Sequence, residues 1–294
     1  MKYLKHKKNK LFIVLLTLIT ILLIAIDNRI LIQNYQIETS KINNPIRIAL
    51  ITDLHSCKYK DNQKELIQAL QNQSPDLVLL GGDIFDDIIE DTNTELFLAA
   101  IASKYPIYYV TGNHEYWSGI DKFNSKMKIL EKYSITILSG KCDTVTLQDE
   151  TINVCGVDDP DAYMVVADIE TNPQLYIQSQ QNKHATFINQ LDEVNTKIDS
   201  KYSILLSHRP EFFELYASYD FDLVLSGHAH GGQWRIPGIL NGVYAPHQGL
   251  FPKYAGGMYE LGDTTMIVSR GLAKETTRIP RIFNRPELVI VEVS

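Results

Sequence analysis

The chain has 294 residues, 45% of them apolar and 21% charged, a mixture that suits one large globular domain and does not indicate disorder. Its net charge is −7, but all five lysines of the first ten residues lie outside the main body, leaving 23 Lys+Arg against 35 Asp+Glu, a net of −12. Such a surface repels phosphate backbones, so nucleic-acid binding is not expected, and three cysteines without a Cys-x-x-Cys exclude a thiolate zinc or redox motif.

Residues 1–10 hold Lys2, Lys5, Lys7, Lys8 and Lys10 and no acid, and 11–26 then run without a charge. A spanning helix needs about 20 apolar residues and at least about 17. The run is therefore short for a span, yet long for the apolar part of a signal peptide. No small-x-small cleavage site follows, Ala25-Ile26-Asp27 being a poor one. The favoured reading is an uncleaved signal anchor over 1–32, ahead of a cleaved signal and of a buried core helix. The lysines would stay in the cytoplasm and the rest would lie outside, as a single-pass protein of the cell membrane. Residues 33–45 are polar without a period and read as a linker, and 46–294 as one domain.

From Ile46 onward, short apolar runs alternate with helical segments. Residues 46–51, 77–80 and 107–110 read as buried strands, with helical patterns over 63–72, 92–103 and 122–132. That alternation indicates βαβ units and a largely parallel sheet. The middle differs: 135–138, 144–147 and 151–157 follow one another without helices, the last two as a hairpin turning near Asp149-Glu150. Cys142 and Cys155 flank this hairpin and could oxidise outside the cell, if their geometry allows. A helix is expected over 185–198, strands over 203–206 and 221–225, and antiparallel strands over 264–268 and 288–293. The expected fold is α/β: two packed mixed β-sheets flanked by helices, a four-layer α/β/β/α sandwich, with an N-terminal membrane anchor.

Five strand-like runs end in metal-ligand residue types: Asp53 and His55; Asp83; Asn113 and His114; His208; His228 and His230. In open α/β sheets, ligands collect at the carboxyl ends of strands. In extended chain, residues i and i+2 point the same way, so His228-Ala229-His230 would aim two imidazoles into one cleft. Asp53-x-His55 would do the same. Asp83 follows a Gly-Gly pair, and its carboxylate can bridge two cations. Asn113 adds a neutral oxygen. Carboxylate, imidazole and amide oxygen together suit Mn, Fe or Zn rather than Cu(I). A single structural ion does not need so many ligands, so two divalent ions are the economical number.

The ordered blocks Asp53-x-His55, Gly82-Asp83, Gly112-Asn113-His114-Glu115, His208 and Gly227-His228-x-His230 resemble the calcineurin-like metallophosphoesterase superfamily, over about 46–293. Ser207-His208-Arg209-Pro210, Gly231-Gly232-Gln233, Ser269-Arg270-Gly271 and the run Phe283-Asn284-Arg285-Pro286-Glu287 further resemble a membrane-anchored bacterial branch of it. Ala273 stands where that branch has a second glycine. The resemblance implies one metal held by Asp53, His55, Asp83 and His230. It implies a second held by Asp83 as the bridge, Asn113, His208 and His228, with His114 as the catalytic acid near the leaving group. Two cations about 3.5–4 Å apart lower the pKa of a bridging water and clamp a phosphoryl group for in-line displacement. The implied activity is hydrolysis of a phosphoester, phosphodiester or pyrophosphate, by that hydroxide at the outer face of the membrane. By location alone, lipid-linked or wall-derived phosphates are candidate substrates. The alternatives are a phosphomonoesterase and a metal-binding envelope protein with little catalysis; oligomeric state is open.

Around this set, Asp86 and Glu115 are candidates to orient imidazoles. Arg209, Arg270 and Arg285 are candidates for phosphate contact, against ordinary structural roles. His247 either lines the cleft or sits on a surface loop. Cys57 reads as a small buried residue, and Tyr244, Phe251 and Tyr254 as an apolar wall or as tail packing.

Overall fold

Val, Leu and Ile crowd the strands after Ile46, so each strand needs cover on both faces. The computed structural model describes the backbone of residues 2–164, 173–274 and 280–294, and the side chains of 9–162, 184–274 and 280–294. The chain begins with α1 (Lys2–Ala25) and β1 (Leu31–Ile37), then β2 (Ile46–Ile51), α2 (Lys64–Gln71), β3 (Leu77–Gly81), α3 (Thr92–Ile101) and β4 (Ile107–Val110). There follow α4 (Asn113–Trp117), α5 (Ile120–Lys132), β5 (Thr136–Ile137), β6 (Lys141–Leu147), β7 (Glu150–Gly156) and α6 (Pro173–Asn195). The last part holds β8 (Ser203–Leu206), α7 (Phe213–Tyr216), β9 (Leu223–Ser226), β10 (Tyr244–Ala245), β11 (Gly249–Leu250), β12 (Gly257–Leu261), β13 (Thr264–Val268) and β14 (Glu287–Val293).

One sheet runs β1-β14-β2-β3-β4-β5 and the other β12-β13-β9-β8-β7-β6. In the first, β2 to β5 are parallel and β14 is antiparallel to β2. In the second, β13, β9, β8 and β7 are parallel, with β12 and β6 antiparallel at the edges. Successive strand residues point to opposite faces. Ile48, Leu50, Leu77 and Leu79 therefore meet Val154, Ile204, Leu206 and Leu225 of the second sheet. Their neighbours Ala49, Ile51, Val78 and Leu80 meet Leu70, Phe97, Ile101 and Leu130 on α2, α3 and α5. On the far face, Leu205, Val224 and Met266 pack with Phe187, Leu191 and Val194 of α6. These are the four layers expected from the sequence.

Two expectations change. Residues 33–45 are not all linker, because Leu31–Ile37 forms an edge strand in register with β14, from Leu31 opposite Glu287 to Ile37 opposite Val293. That pairing costs little polarity at a half-exposed edge, which is why no apolar run announced it. Among the described residues no helix is long and apolar enough to cross a membrane, so the structure does not support the expected spanning anchor. The apolar run from Leu11 to Ile26 is helical through Ala25 and largely exposed, and most of the lysine cluster lies outside the described side chains.

Cys142 stands opposite Cys155 across β6 and β7, and the two are disulfide-bonded. The bridge spans 13 positions of sequence. Replacing both cysteines by serine is expected to lower unfolding stability by about 2–3 kcal/mol, read as a lower urea midpoint with a steeper slope, because the unfolded chain is no longer cross-linked.

Candidate metal centre

The parallel strands β2, β3, β4, β8 and β9 end on one edge, and each delivers its metal-ligand residues within a few positions of its last residue. The loops are lashed together by backbone bonds. Asp53 N–H donates to Gly82 O (3.0 Å), His55 N–H to Asp83 O (2.9 Å) and Gly227 N–H to His208 O (3.2 Å). Asp53, His55, Asp83, His228 and His230 all have φ between 47° and 65°, in the left-handed region that a side chain disfavours. Strain of this kind persists where the surroundings over-determine it, and it clusters at functional sites. The extended geometry expected for Asp53-x-His55 and His228-x-His230 is thus replaced by tight turns. In the second motif the turn parts the two imidazoles, sending His228 to one cluster and His230 to another.

Glycine is required where these loops touch. A Cβ on Gly82, at φ 88°, would lie 2.6 Å from His208 Nδ1 and 2.9 Å from Gly112 N. A Cβ on Gly227 would lie 2.6 Å from Asp53 Oδ2.

The first cluster is Asp53, His55 and His230, all buried, with His230 Nε2 at 3.7 Å from Asp53 Oδ1. The second is Asp83, His208 and His228, also buried, with His208 Nε2 at 3.2 Å from His228 Nδ1. Asp83 joins them: its Oδ2 lies 3.1 Å from His208 Nε2 and 3.6 Å from His55 Nε2. Asn113, at the start of α4, is buried beside them. His55 Nε2 and Asn113 Oδ1 are buried with no hydrogen bond, and the buried Asp83 Oδ2 has the His208 and His55 imidazoles beside it. Such groups are costly unless something satisfies them. Cations satisfy all three, and the donors are of the carboxylate, imidazole and amide kind suited to two divalent ions. Six of the seven candidate ligands are thus gathered in these two clusters.

Electrostatics divide the histidines. Burial would lower His208, but the Asp83 carboxylate outweighs it and pushes the imidazole up to about 10. His55 is raised too: burial opposes this, and Asp86 and Asp83 prevail. Asp83 would be raised by burial, yet His208 and His114 hold it well below the usual carboxylate range. His228 and His230 are held well below the usual range, first by burial and then by Arg209 and His55 respectively. Without metal, His208 thus acts as a protonated counter-ion that a cation must displace. Loading the His208 cluster near pH 7 is expected to release a proton from that imidazole, measurable in a pH-stat, because ligation requires neutral imidazoles. Apparent affinity at the His208 cluster should rise about tenfold per pH unit until pH nears the pKa of about 10. A folded-state pKa above the unfolded 6.5 means that the metal-free fold keeps this stabilisation below 6.5 and loses it as pH rises through about 10.

His114 lies at the rim, its ring edge-on to His55 with centroids 4.4 Å apart. Its Nδ1 is 2.7 Å from Asp87 Oδ1, and its N–H donates to Asp83 Oδ1 (2.9 Å). Asp86 sits on His55 Nδ1 at 3.0 Å and orients that ring, as expected. Glu115 does something else. It accepts backbone N–H groups from Asp83, Ile84, Phe85 and Gly112, and so clamps two ligand loops together. Asp87 is the partner that sequence reasoning missed. It adjoins Asp86, and only the turn between them decides which carboxylate faces which imidazole.

Of the three candidate arginines, Arg209 alone is seen to reach the ligands. It is buried, grips both oxygens of Asp159, and places Nη1 at 3.3 Å from His228 Nε2 and 2.7 Å from His247 Nδ1. Arg270 pairs with Glu287 (2.6 Å), and Arg285 holds the carbonyls of Arg29 and Ile30 beside Asp27. Both brace the tail. His247 lines the cleft, with Nδ1 at 3.0 Å from His228 Nε2. Cys57 is buried, as expected. Tyr254 packs on Phe213, while Tyr244 and Phe251 are exposed.

Residues 46–232 match the sequence profile of the calcineurin-like phosphoesterases. The chain belongs to that family. A Helicobacter pylori protein described as an uncharacterized metallophosphoesterase is 31% identical over 246 residues, covering 82% of this chain. This chain spans only 58% of that relative's length. The Escherichia coli phosphodiesterase YaeI is 24% identical over 253 residues, covering 85% of this chain and 82% of YaeI. Among solved structures, phosphopantetheinyl hydrolase of Mycobacterium tuberculosis superposes with a TM-score of 0.49 at 14% identity, over 82% of this chain and 95% of its own.

Proposed function

We propose that this chain is a metal-dependent phosphoester hydrolase, acting on phosphodiester or pyrophosphate bonds. The observation that carries this is Asp83, whose one carboxylate stands within 3.6 Å of imidazoles from both ligand clusters. Bound there, two divalent ions would supply an acidified water and positive charge for the phosphoryl oxygens. Asp53, His55 and His230 would hold one, and Asn113, His208 and His228 the other, with Asp83 shared. The protein's remaining work is proton transfer and orientation. Asp87 keeps a proton at His114 Nδ1 and leaves Nε2 to deliver one to the departing oxygen. Arg209, fixed by Asp159, offers Nη1 to a phosphoryl oxygen at the His228 side. The name of the E. coli relative supports the diester preference.

We further propose that α1 seats the protein in the cell membrane with the domain outside. Leu11 to Ile24 expose their apolar side chains behind a basic N-terminus, which the positive-inside rule keeps on the cytoplasmic side. A reporter fused after Ser294 should be active outside the membrane, and a cytoplasmic signal rejects this topology. For the activity, the full chain loaded with Mn should hydrolyse bis(p-nitrophenyl) phosphate faster than p-nitrophenyl phosphate. The reverse order would favour the monoesterase reading, and tight metal binding with no turnover of either would leave a metal-binding protein.

A further inference from the structure

We propose that the segment from Trp234 to Phe251 is a lipid-contacting surface, which seats the cleft against an anionic bilayer and selects phosphoesters carrying an apolar chain. The substrate class rests on the phosphoesterase reading; the lipid contact does not.

The segment starts two residues after the turn that carries His230, and it exposes Trp234, Ile236, Ile239, Tyr244, Leu250 and Phe251. Ile239 is 83% exposed, Leu250 68% and Phe251 67%. Exposed apolar residues gathered into one loop mark a contact surface, whereas single ones are ordinary. The loop also has two sides. β10 and β11 form a hairpin separate from both sheets, and its tip residue His247 turns inward to His228 Nε2 (3.0 Å) and Arg209 Nη1 (2.7 Å). A few residues away, Leu250 and Phe251 stand out into solvent. One short hairpin thus carries the wall of the metal cleft on one side and apolar side chains on the other. A phosphoester held at the ions has its substituent against this wall.

Two observations single out a lipid surface as the occupant. The first is charge. From Leu223 through Tyr259 the chain has no acidic residue and carries Arg235 and Lys253, the latter paired with Glu214, in a domain whose net charge is −12. This is the stretch that an anionic headgroup layer does not repel. The second is continuity with the exposed apolar helix. Arg235 N–H donates to Ile282 O (2.9 Å), Trp234 Nε1–H to Pro280 O (2.9 Å), and Phe283 N–H to Ala25 O (2.7 Å). The loop and the end of α1 are therefore tied to one short segment, and both present apolar side chains at that place. Aromatic and aliphatic side chains beside cationic ones are the composition of interfacial membrane contacts.

The chain has two tryptophans, so Trp117→Phe leaves Trp234 as the reporter. The full chain in this background would be reconstituted into phosphatidylglycerol–phosphatidylethanolamine vesicles containing brominated acyl chains. Trp234 emission should shift to the blue and be quenched. Adding Leu250→Asp and Phe251→Asp should remove roughly half or more of that quenching. The two charged replacements should leave Mn-dependent turnover of bis(p-nitrophenyl) phosphate within about twofold of the Trp117→Phe parent, since both side chains face solvent. No quenching, equal quenching with and without the charged pair, or a chain that fails to float with the vesicles would each overturn the proposal. A blue shift that depends on protein concentration in lipid-free detergent would do so as well, by assigning the surface to a second copy of the chain. Quenching without turnover of any soluble ester would instead reject the hydrolase reading and leave the lipid contact standing.

Discussion

Asp83→Ala is expected to abolish hydrolysis, by about 10³–10⁵ in kcat/KM, and to lower the bound metal from two ions to one or none. Asp83 is the residue that both clusters share, at 3.1 Å from His208 and 3.6 Å from His55. Removing it leaves the buried His208 imidazole without the carboxylate that chiefly raises it, so His208 should lose its proton well below pH 10. The remaining ligands are then split between two incomplete sets, and no carboxylate spans them. Metal analysis after gel filtration reads the first effect and steady-state kinetics the second. Asp83→Asn is the sharper variant. It keeps an oxygen to accept the His114 N–H, which now donates to Asp83 Oδ1, while removing the bridging charge. If Asp83→Asn retains two ions and near-parental turnover, the bridging role is wrong.

His114→Ala should behave differently. Both ions should stay, because His114 faces Asp87 rather than belonging to either ligand set, while kcat falls by about 10²–10⁴. The loss should depend on the leaving group. Nitrophenolate departs without help, so its esters should lose least; an alkyl ester needs a proton and should lose most. A merely structural role would depress both equally. Asp87→Asn should show the same pattern at a smaller scale, about 10–100-fold, since it acts through the orientation of His114. A flat dependence on leaving group in both variants would remove His114 from the proton-transfer step.

The helix and sheet layers were legible because burial imposes a period. Ile48 and Leu50 face one way and Ala49 and Ile51 the other, and runs such as Leu77–Gly81 have no solvent face at all. β1 was not legible. Its residues alternate between half-buried and exposed at an edge, and its register depends on β14, about 250 positions later. The outer partners were partly legible. Asp86 was a candidate to orient an imidazole, and the fold brings it to His55, 31 positions earlier, but Glu115 was misread. A carboxylate that clamps backbone N–H groups looks the same in sequence as one that orients a histidine.

The amino-acid order alone placed seven residues of metal-ligand type, with His114 beside one of them, at the ends of strands. Those are local facts: a residue type at a fixed distance from the end of an apolar run. The division of the ligands was implied by the family resemblance, and the tertiary structure supplied the geometry behind it. The spacing in His228-Ala229-His230 implies two imidazoles side by side, if the backbone is extended. The backbone instead turns at positive φ on both sides of Ala229, held by Gly227 against Asp53 and by the His208 carbonyl. The first of these contacts brings together residues more than 170 positions apart. No local pattern encodes them, because the energy that keeps the strained turns comes from packing between strands that meet only in the folded protein.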